Sequence, residues 1–379
     1  MKIEQSIRAE GERWDPAISG KLKESAQLVF LFGSTDIIKK KETVQEIRGL
    51  YPNAQIFGCS TAGEIFGTQV IEGSLVLTAV HFEHTAIQTV STEINGMDDS
   101  FQAGERLVSS LKQENLAHVF ILSNGLKVNG SDLVRGATSK LPQNVSLTGG
   151  LSGDGDRFKE TFVISNNQPA DNSIAALGFY GSRIKVGYCS LGGWEPFGPD
   201  RLITRSRNNI LYELDNESAL SLYKKYLGDH AAKLPASALL FPLNIKRKDG
   251  TEWIVRTILS VDEKDQSMTF AGDVPEGASV RLMKTNFEDI VQGAVEAAKG
   301  SIEVFGDAAP DLAILISCVG RKMVLKQRIE EETEGVRNIF GDKTVLTGFY
   351  SYGEICPFKR NSNSELHNQT MTITTFLEA

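Results

Sequence analysis

Apolar positions along this chain fall into short continuous runs separated by amphipathic stretches, and the alternation recurs. Leu28-Val29-Phe30-Leu31-Phe32 is apolar throughout and ends in Gly33-Ser34, as expected of a strand buried on both faces. Thr43 to Leu50 then places Val44, Ile47 and Leu50 at helical spacing. Ser74 to Phe82 and Ala86 to Ile94 read as strands around a turn at His84-Thr85, and a helix from Phe101 to Leu111 closes the stretch. The same order returns as a strand at His118 to Ser123, a turn at Gly125, a helix near Ser131 to Leu141, and strands at Ala175 to Tyr180 and Ile184 to Ser190. The polar residues 1–26, with Trp14-Asp15-Pro16, predict a lead-in helix or arm docked through Trp14.

Gly192 to Pro199 breaks the pattern and predicts a structured loop, with Trp194 and Phe197 as an aromatic plug or a pocket wall. From Leu211 the composition changes. Asp215-Asn216-Glu217-Ser218 caps a helix through Tyr226, followed by antiparallel runs at Leu239 to Leu243, Ile254 to Leu259 and Met268 to Gly272, with a turn at Lys248-Asp249-Gly250. A helix at Asn286 to Ala298, an apolar run from Leu312 to Arg321, a helix from Lys326 to Phe340 and a last strand at Met371 to Phe376 complete the chain. The expected fold class is α/β: two domains of repeated strand-helix-strand units with glycine-rich lips at strand ends and partly antiparallel sheets. The expected divisions are an arm over 1–26 and domains over 27–210 and 211–379, hinged about residues 205 to 215.

The lips are the strongest internal repeat. Gly58-Cys59-Ser60-Thr61-Ala62-Gly63-Glu64-Ile65 and Gly348-Phe349-Tyr350-Ser351-Tyr352-Gly353-Glu354-Ile355 share Gly, four residues, then Gly-Glu-Ile. Gly149-Gly150-Leu151-Ser152-Gly153-Asp154 reads as a degenerate third copy with Asp154 in place of the glutamate. Such lips at the carboxyl ends of strands are where open α/β sheets hold ligands.

Composition narrows the function. A formal net charge of -8 over 379 residues gives no electrostatic footprint for nucleic acid or an anionic membrane. The first residues lack the apolar core of a signal peptide and no stretch approaches a membrane span, so a cytoplasmic protein without membrane insertion is expected. Cys59, Cys189, Cys318 and Cys356 are scattered, matching neither a zinc ribbon nor a disulfide framework.

Phe241-Pro242-Leu243, Val255-Arg256, Phe270-Ala271-Gly272-Asp273-Val274-Pro275-Glu276-Gly277, Ser317-Cys318-Val319-Gly320-Arg321, the third lip and His367-Asn368-Gln369-Thr370 occur in an order that resembles the FIST sensory family, in its tandem form of an amino-terminal and a carboxyl-terminal domain. The resemblance runs from about residue 25 onward. It implies an intracellular small-ligand sensor, with amino acids as ligands of many members and haem with nitric oxide for a group of stand-alone bacterial ones. It also implies signalling in trans to a histidine kinase or an enzyme of cyclic-di-GMP turnover, since no output segment is present in this sequence.

Candidate ligand-binding residues follow. Gly58, Ser60, Thr61, Gly63 and Glu64 come from the first lip, Gly149, Gly150, Ser152 and Asp154 from the second, and Tyr350, Tyr352, Gly353 and Glu354 from the third. Glu354 with its tyrosines suits an amine or hydroxyl, while the forked donors of Arg256 and Arg321 suit a carboxylate or, equally, an ion pair with the lip carboxylates. Cys318, His367 and Asn368 lie near the third lip in sequence. His230 and His367 are the candidate haem-iron ligands. An enzyme using Glu64 and Glu354, or Cys318 with His367, is the other alternative, although phosphate-loop, dinucleotide and nucleophile-elbow motifs are absent.

Overall fold

The structure is a computed structural model and describes all residues except 166, 235, 247–252 and 361, so the Lys248-Asp249-Gly250 turn lies outside the described residues. Three six-stranded mixed sheets share one plan. At the centre of each is a parallel pair joined through helix: Leu28–Gly33 with Gln55–Ser60, Leu116–Ser123 with Ser146–Leu151, and Leu312–Cys318 with Val345–Ser351. An antiparallel return strand flanks each pair, namely Ser74–His81, Ser173–Tyr180 and Met371–Glu378.

The sheets are completed by exchange. The hairpin Glu64–Phe66 with Gln69–Ile71, which follows the first parallel pair, pairs with Val345–Ser351 in the third sheet. Gly353–Pro357 with Ser364–His367, from the third unit, pairs with Ser146–Leu151 in the second. Val163–Ser165 with Gln168–Ala170, from the second unit, pairs with Gln55–Ser60 in the first. Ala86–Glu93 and Ile184–Leu191 likewise leave their preceding return strands for the next sheet, so the predicted strands around His84-Thr85 do not pair with each other. The result is a cyclic, pseudo-threefold body. Residues 2–9, expected as part of a helix or arm, form the matching outer strand Lys2–Ala9 of the first sheet, while Trp14 packs on its outer core as expected.

The continuous apolar runs have a direct cause. In Leu28–Gly33, Leu28, Phe30 and Phe32 face a central aromatic core, whereas Val29 and Leu31 pack with Val44 and Ile47 of the helix Lys41–Leu50. Both faces are buried, so period-two alternation disappears. The central core draws on all three units: Phe30 lies 6.1 Å from Phe120 and Phe32 lies 4.8 Å from Phe349, centroid to centroid. Each fully buried phenylalanine contributes about 1.5–3 kcal/mol.

A fourth, eight-stranded sheet forms an inserted subdomain between Ile184–Leu191 and the helix Phe287–Ile302 of the third unit. Its own core includes Leu211, Leu220, Tyr223, Met268 and Phe270. The expected loop at 192–199 becomes, from Glu195, the long strand Glu195–Arg207. Trp194 is the plug, donating to the Gln369 carbonyl at 2.8 Å, whereas Phe197 is 40% exposed. Residues 205 to 215 fall on the hairpin of Glu195–Arg207 with Ile210–Leu214, inside the subdomain. The run Leu239 to Leu243 is not one strand: a 3-10 turn over Ala236–Leu240 precedes the strand Leu243–Lys246.

Candidate functional site

The lips meet at the pseudo-threefold axis and hold one another through backbone. Ala62 N donates to the Tyr350 carbonyl at 2.8 Å, Gly153 N to the Ser60 carbonyl at 3.0 Å, and Tyr352 N to the Leu151 carbonyl at 3.2 Å. Gly58, Gly149 and Gly348 occupy equivalent positions, opposite Leu31, Ile121 and Leu315. A Cβ on any of them would sit 1.9 Å from the carbonyl oxygen of that partner. These glycines serve close strand approach rather than approach of a ligand. Gly150 faces the core, where a Cβ would meet Ile316 at 2.9 Å.

Glu64 and Glu354 are a matched pair of braces. Glu64 accepts from the Thr61 hydroxyl, and from Ser74 N at 3.0 Å and Ser74 Oγ at 2.7 Å. Glu354 accepts from Ser351 Oγ at 2.6 Å, Thr370 N at 3.2 Å and Thr370 Oγ1 at 2.9 Å. Each glutamate thereby ties its lip to the start of its own unit's return strand. Burial pushes their carboxyls up, to about 7 for Glu64 and about 8 for Glu354, against the opposing pull of those donors.

The second lip departs from this plan, and the register shows how. Glu64 lies opposite Phe349 and Glu354 opposite Gly150; the residue opposite the equivalent Cys59 is Val163. Asp154 is therefore not the third glutamate, as the sequence suggested, but the start of an extra loop running to Val163. Without a carboxylate to receive it, the buried Ser152 hydroxyl has no partner among the described residues. Asp154 gathers the loop instead, accepting from the amides of Phe158 at 2.9 Å, Lys159 at 2.8 Å and Glu160 at 3.0 Å, and from the Tyr352 hydroxyl. Phe158, held at φ +51°, stacks on Tyr352 with centroids 4.4 Å apart and rings 12° from parallel.

Beside this loop opens a cavity of about 400 Å³ between the second unit and the inserted subdomain. Phe158, Tyr352 and Leu151 line one side. Asn129, Gly130 and Asp132, at the start of the helix Gly130–Ser139, line another, with the Asn129 side chain capping that helix by accepting from Ser131 N and Asp132 N. The subdomain supplies Asn208, Asn209, Leu259 and Gly272, and the 3-10 turn Met97–Asp99 supplies Met97 and Asp98. Two bonds latch the bodies together behind it: Asn129 Nδ2 to Asp273 Oδ1 at 3.0 Å and Arg256 to the Ser131 hydroxyl at 3.4 Å. A second cavity of about 420 Å³ opens beyond the latch and takes in Arg256, Asp273 and Glu365.

Of the residues singled out from sequence, Tyr352 lines the first cavity and Arg256 the second, while Asp154 shapes the loop beside them. The others serve elsewhere. Arg321, fully buried, is bound not to a lip carboxylate but to Glu332 at 2.7 Å and to the carbonyls of Gly192 at 2.5 Å and Ile290 at 2.8 Å. Tyr350 donates to the same Glu332. Ser60 bridges lips by donating to the Gly153 carbonyl at 2.8 Å, Gly63 lies under the Lys322 side chain, and Gly353 gives room to Leu151 and Leu366.

Cys318 is buried, and burial with the neighbouring Glu354 charge pushes its thiol well up, away from a reactive thiolate. His367 is bonded through Nε2 to the Cys356 carbonyl at 2.9 Å. His230 sits on the 3-10 turn Gly228–Lys233 with its ring 5.3 Å from Phe241. The Asn368 amide is buried with neither atom partnered among the described residues. Sequence reasoning passed over Phe158, Asn129, Asp98 and Asn208. For Phe158 the signal was one of length, since the second lip has extra residues before its hairpin begins.

Comparisons bear on the whole chain. An uncharacterized protein of Methanocaldococcus jannaschii is 21% identical over 393 aligned positions, covering 93% of this chain and 74% of that protein. Among solved structures, cyanuric acid hydrolase from A. caulinodans aligns over 100% of this chain and 98% of its own at 8% identity, with a TM-score of 0.35, too low to bear on function. The FIST N domain matches residues 27–217 and the FIST C domain matches residues 219–357, and the chain belongs to the FIST family, whose domains point to a small-ligand sensory role.

Proposed function

We propose that this chain senses a small organic molecule held in the cavity between the second unit and the inserted subdomain, and that a separate signalling protein, such as a histidine kinase, reads the outcome. One observation carries the reading. The second lip gives up the glutamate brace kept by the other two, and the loop that replaces it supplies the aromatic wall of the cavity. Positive φ at a bulky residue costs about 1–3 kcal/mol, and such strain concentrates at ligand sites. A ligand touching both bodies reports by favouring one packing of the subdomain over another, through the Asn129 to Asp273 and Arg256 to Ser131 bonds.

The test is a thermal-shift screen of small metabolites against the wild type and Leu259→Trp, which fills the mouth from a 45% exposed position. Compounds that stabilise the wild type should lose that effect in the variant while the variant's own melting stays close to normal. Equal stabilisation of both would place the ligand elsewhere.

Haem has less support as the ligand. Among the described residues no histidine or cysteine lines either cavity, and no three His, Cys, Asp or Glu side chains are grouped to hold a metal ion. His367 is buried against Cys356 and Phe358. These residues do not fit a haem between the two bodies. The amino-acid reading with Arg321 as carboxylate clamp is weakened in the same way, because Glu332 already occupies that guanidinium.

A further inference from the structure

We infer that the ligand of the first cavity is a small organic cation: an ammonium group carried on an apolar or aromatic body. The inference rests on that cavity being the ligand site and names the chemistry it selects. Among the described residues its lining contains two carboxylates, Asp98 and Asp132, and no lysine, arginine or histidine. Asp98 is exposed and has no hydrogen-bond or ion-pair partner among the described residues, so its charge is available to an incoming group. Asp132 is half-buried and already paired with Arg135.

The apolar half of the match is as specific. Seven large hydrophobic residues stand exposed on the described surface, and three of them, Met97 at 52%, Phe158 at 42% and Leu259 at 45%, line this one cavity. Exposed apolar side chains gathered in a concave site mark a surface kept for a partner molecule. Phe158 adds the negative face of an aromatic ring, stacked on Tyr352 and held there by the Asp154-pinned loop, and such faces attract ammonium groups.

Two guanidinium groups lie near the opposite side of the wall. Arg256 passes behind Gly272, and Arg135 pairs with Asp132 and approaches Asp273 at 3.8 Å. Lys246, Asp273, Glu276 and Glu365 stand with them in the second cavity, three cations against three carboxylates, so among the described residues this side carries no net positive charge toward the first. An anion entering the first cavity would therefore meet Asp98 with no compensating donor of charge.

The experiment is calorimetric titration at pH 7 with four probes of one shape: 2-phenylethylamine, 2-phenylethanol, phenylacetate and phenylalanine. The amine should bind at least about tenfold more tightly than the alcohol, as expected of one ion pair and one cation–π contact at a partly exposed site. Asp98→Asn should weaken the amine about fivefold and leave the alcohol unchanged, while Phe158→Leu should weaken both. Melting curves on both variants establish that they fold.

No binding by the amine, or binding no tighter than that of the alcohol, phenylacetate or phenylalanine, overturns the cation inference. If one of those three binds best and Leu259→Trp abolishes it, the cavity remains the ligand site and only the charge assignment falls. If the amine binds Leu259→Trp as well as it binds the wild type, the cavity reading falls too.

Discussion

The first and third lips and the second began as copies of one device and now do different work. In the first and third, a buried glutamate ties the lip to its return strand through two hydroxyls and a backbone amide. In the second, Val163 occupies the glutamate position, Ser152 keeps the hydroxyl that would have served it, and the intervening loop turns Phe158 onto Tyr352 beside a cavity between the two bodies. Two copies hold the frame. Relieved of bracing, the second differs in length and carries a surface.

Among substitutions in the lips the strongest effect should appear where all three copies remain alike. Gly58→Ala, Gly149→Ala and Gly348→Ala should each cost about 3 kcal/mol in chemical denaturation, since each added methyl meets a backbone carbonyl that has no freedom to retreat. A cheap Gly149→Ala would mean the second lip has diverged in its strand as well as its loop.

The braces should differ from the second lip in pH dependence. Their folded carboxyls lie above the ordinary value of 4.5, at about 7 and about 8, so the folded protein binds protons more tightly than the unfolded chain. Their contribution is full below pH 4.5 and is lost as pH rises toward 8. Glu354→Gln, which mimics the protonated acid, should match the wild type near pH 5 and be ahead of it by about 1–3 kcal/mol at pH 8.5. A wild-type advantage that grows with pH would contradict this.

A smaller effect tests descent from the shared device directly. Val163→Glu should restore a brace to Ser152 and Ser173 and cost only about 1 kcal/mol, against about 3–5 kcal/mol for a carboxylate placed without donors at Val29. Equal losses would show that the second lip no longer keeps the geometry. The smallest stability change belongs to Phe158→Gly: within about 1 kcal/mol, because glycine adopts the positive φ without the Cβ penalty and so offsets the lost stacking, while ligand stabilisation disappears.

Much of this frame was legible in the order of residues. Apolar runs such as Leu28 to Phe32 announced strands buried on both faces, and the Gly-Glu-Ile endings announced the repeat. What sequence could not convey was the destination of each hairpin. Nothing in Glu64-Ile65-Phe66 specifies pairing with Val345–Ser351 rather than with its own sheet, because edge pairing depends on three-dimensional closure. The same limitation made Asp154 look like a glutamate equivalent, since adjacency to glycine is a sequence property and register against Cys59 is a spatial one. Arg321 and Glu354 stood out as charges in a motif-rich region, yet each has a full set of partners inside the third unit. Phe158 and Asn208 escaped notice because they lie on loops whose partners are far apart in the chain.

The central claim is that the ligand is held at the altered second lip and not at the braced ones. Hydrogen–deuterium exchange, with and without saturating 2-phenylethylamine or the strongest stabiliser from the metabolite screen, tests it most directly. The account predicts slowed exchange over residues 124–130, 154–162 and 270–272, with residues 60–65 and 351–355 unchanged. Slowed exchange at the Glu64 and Glu354 lips, with the 154–162 loop unaffected, would contradict it.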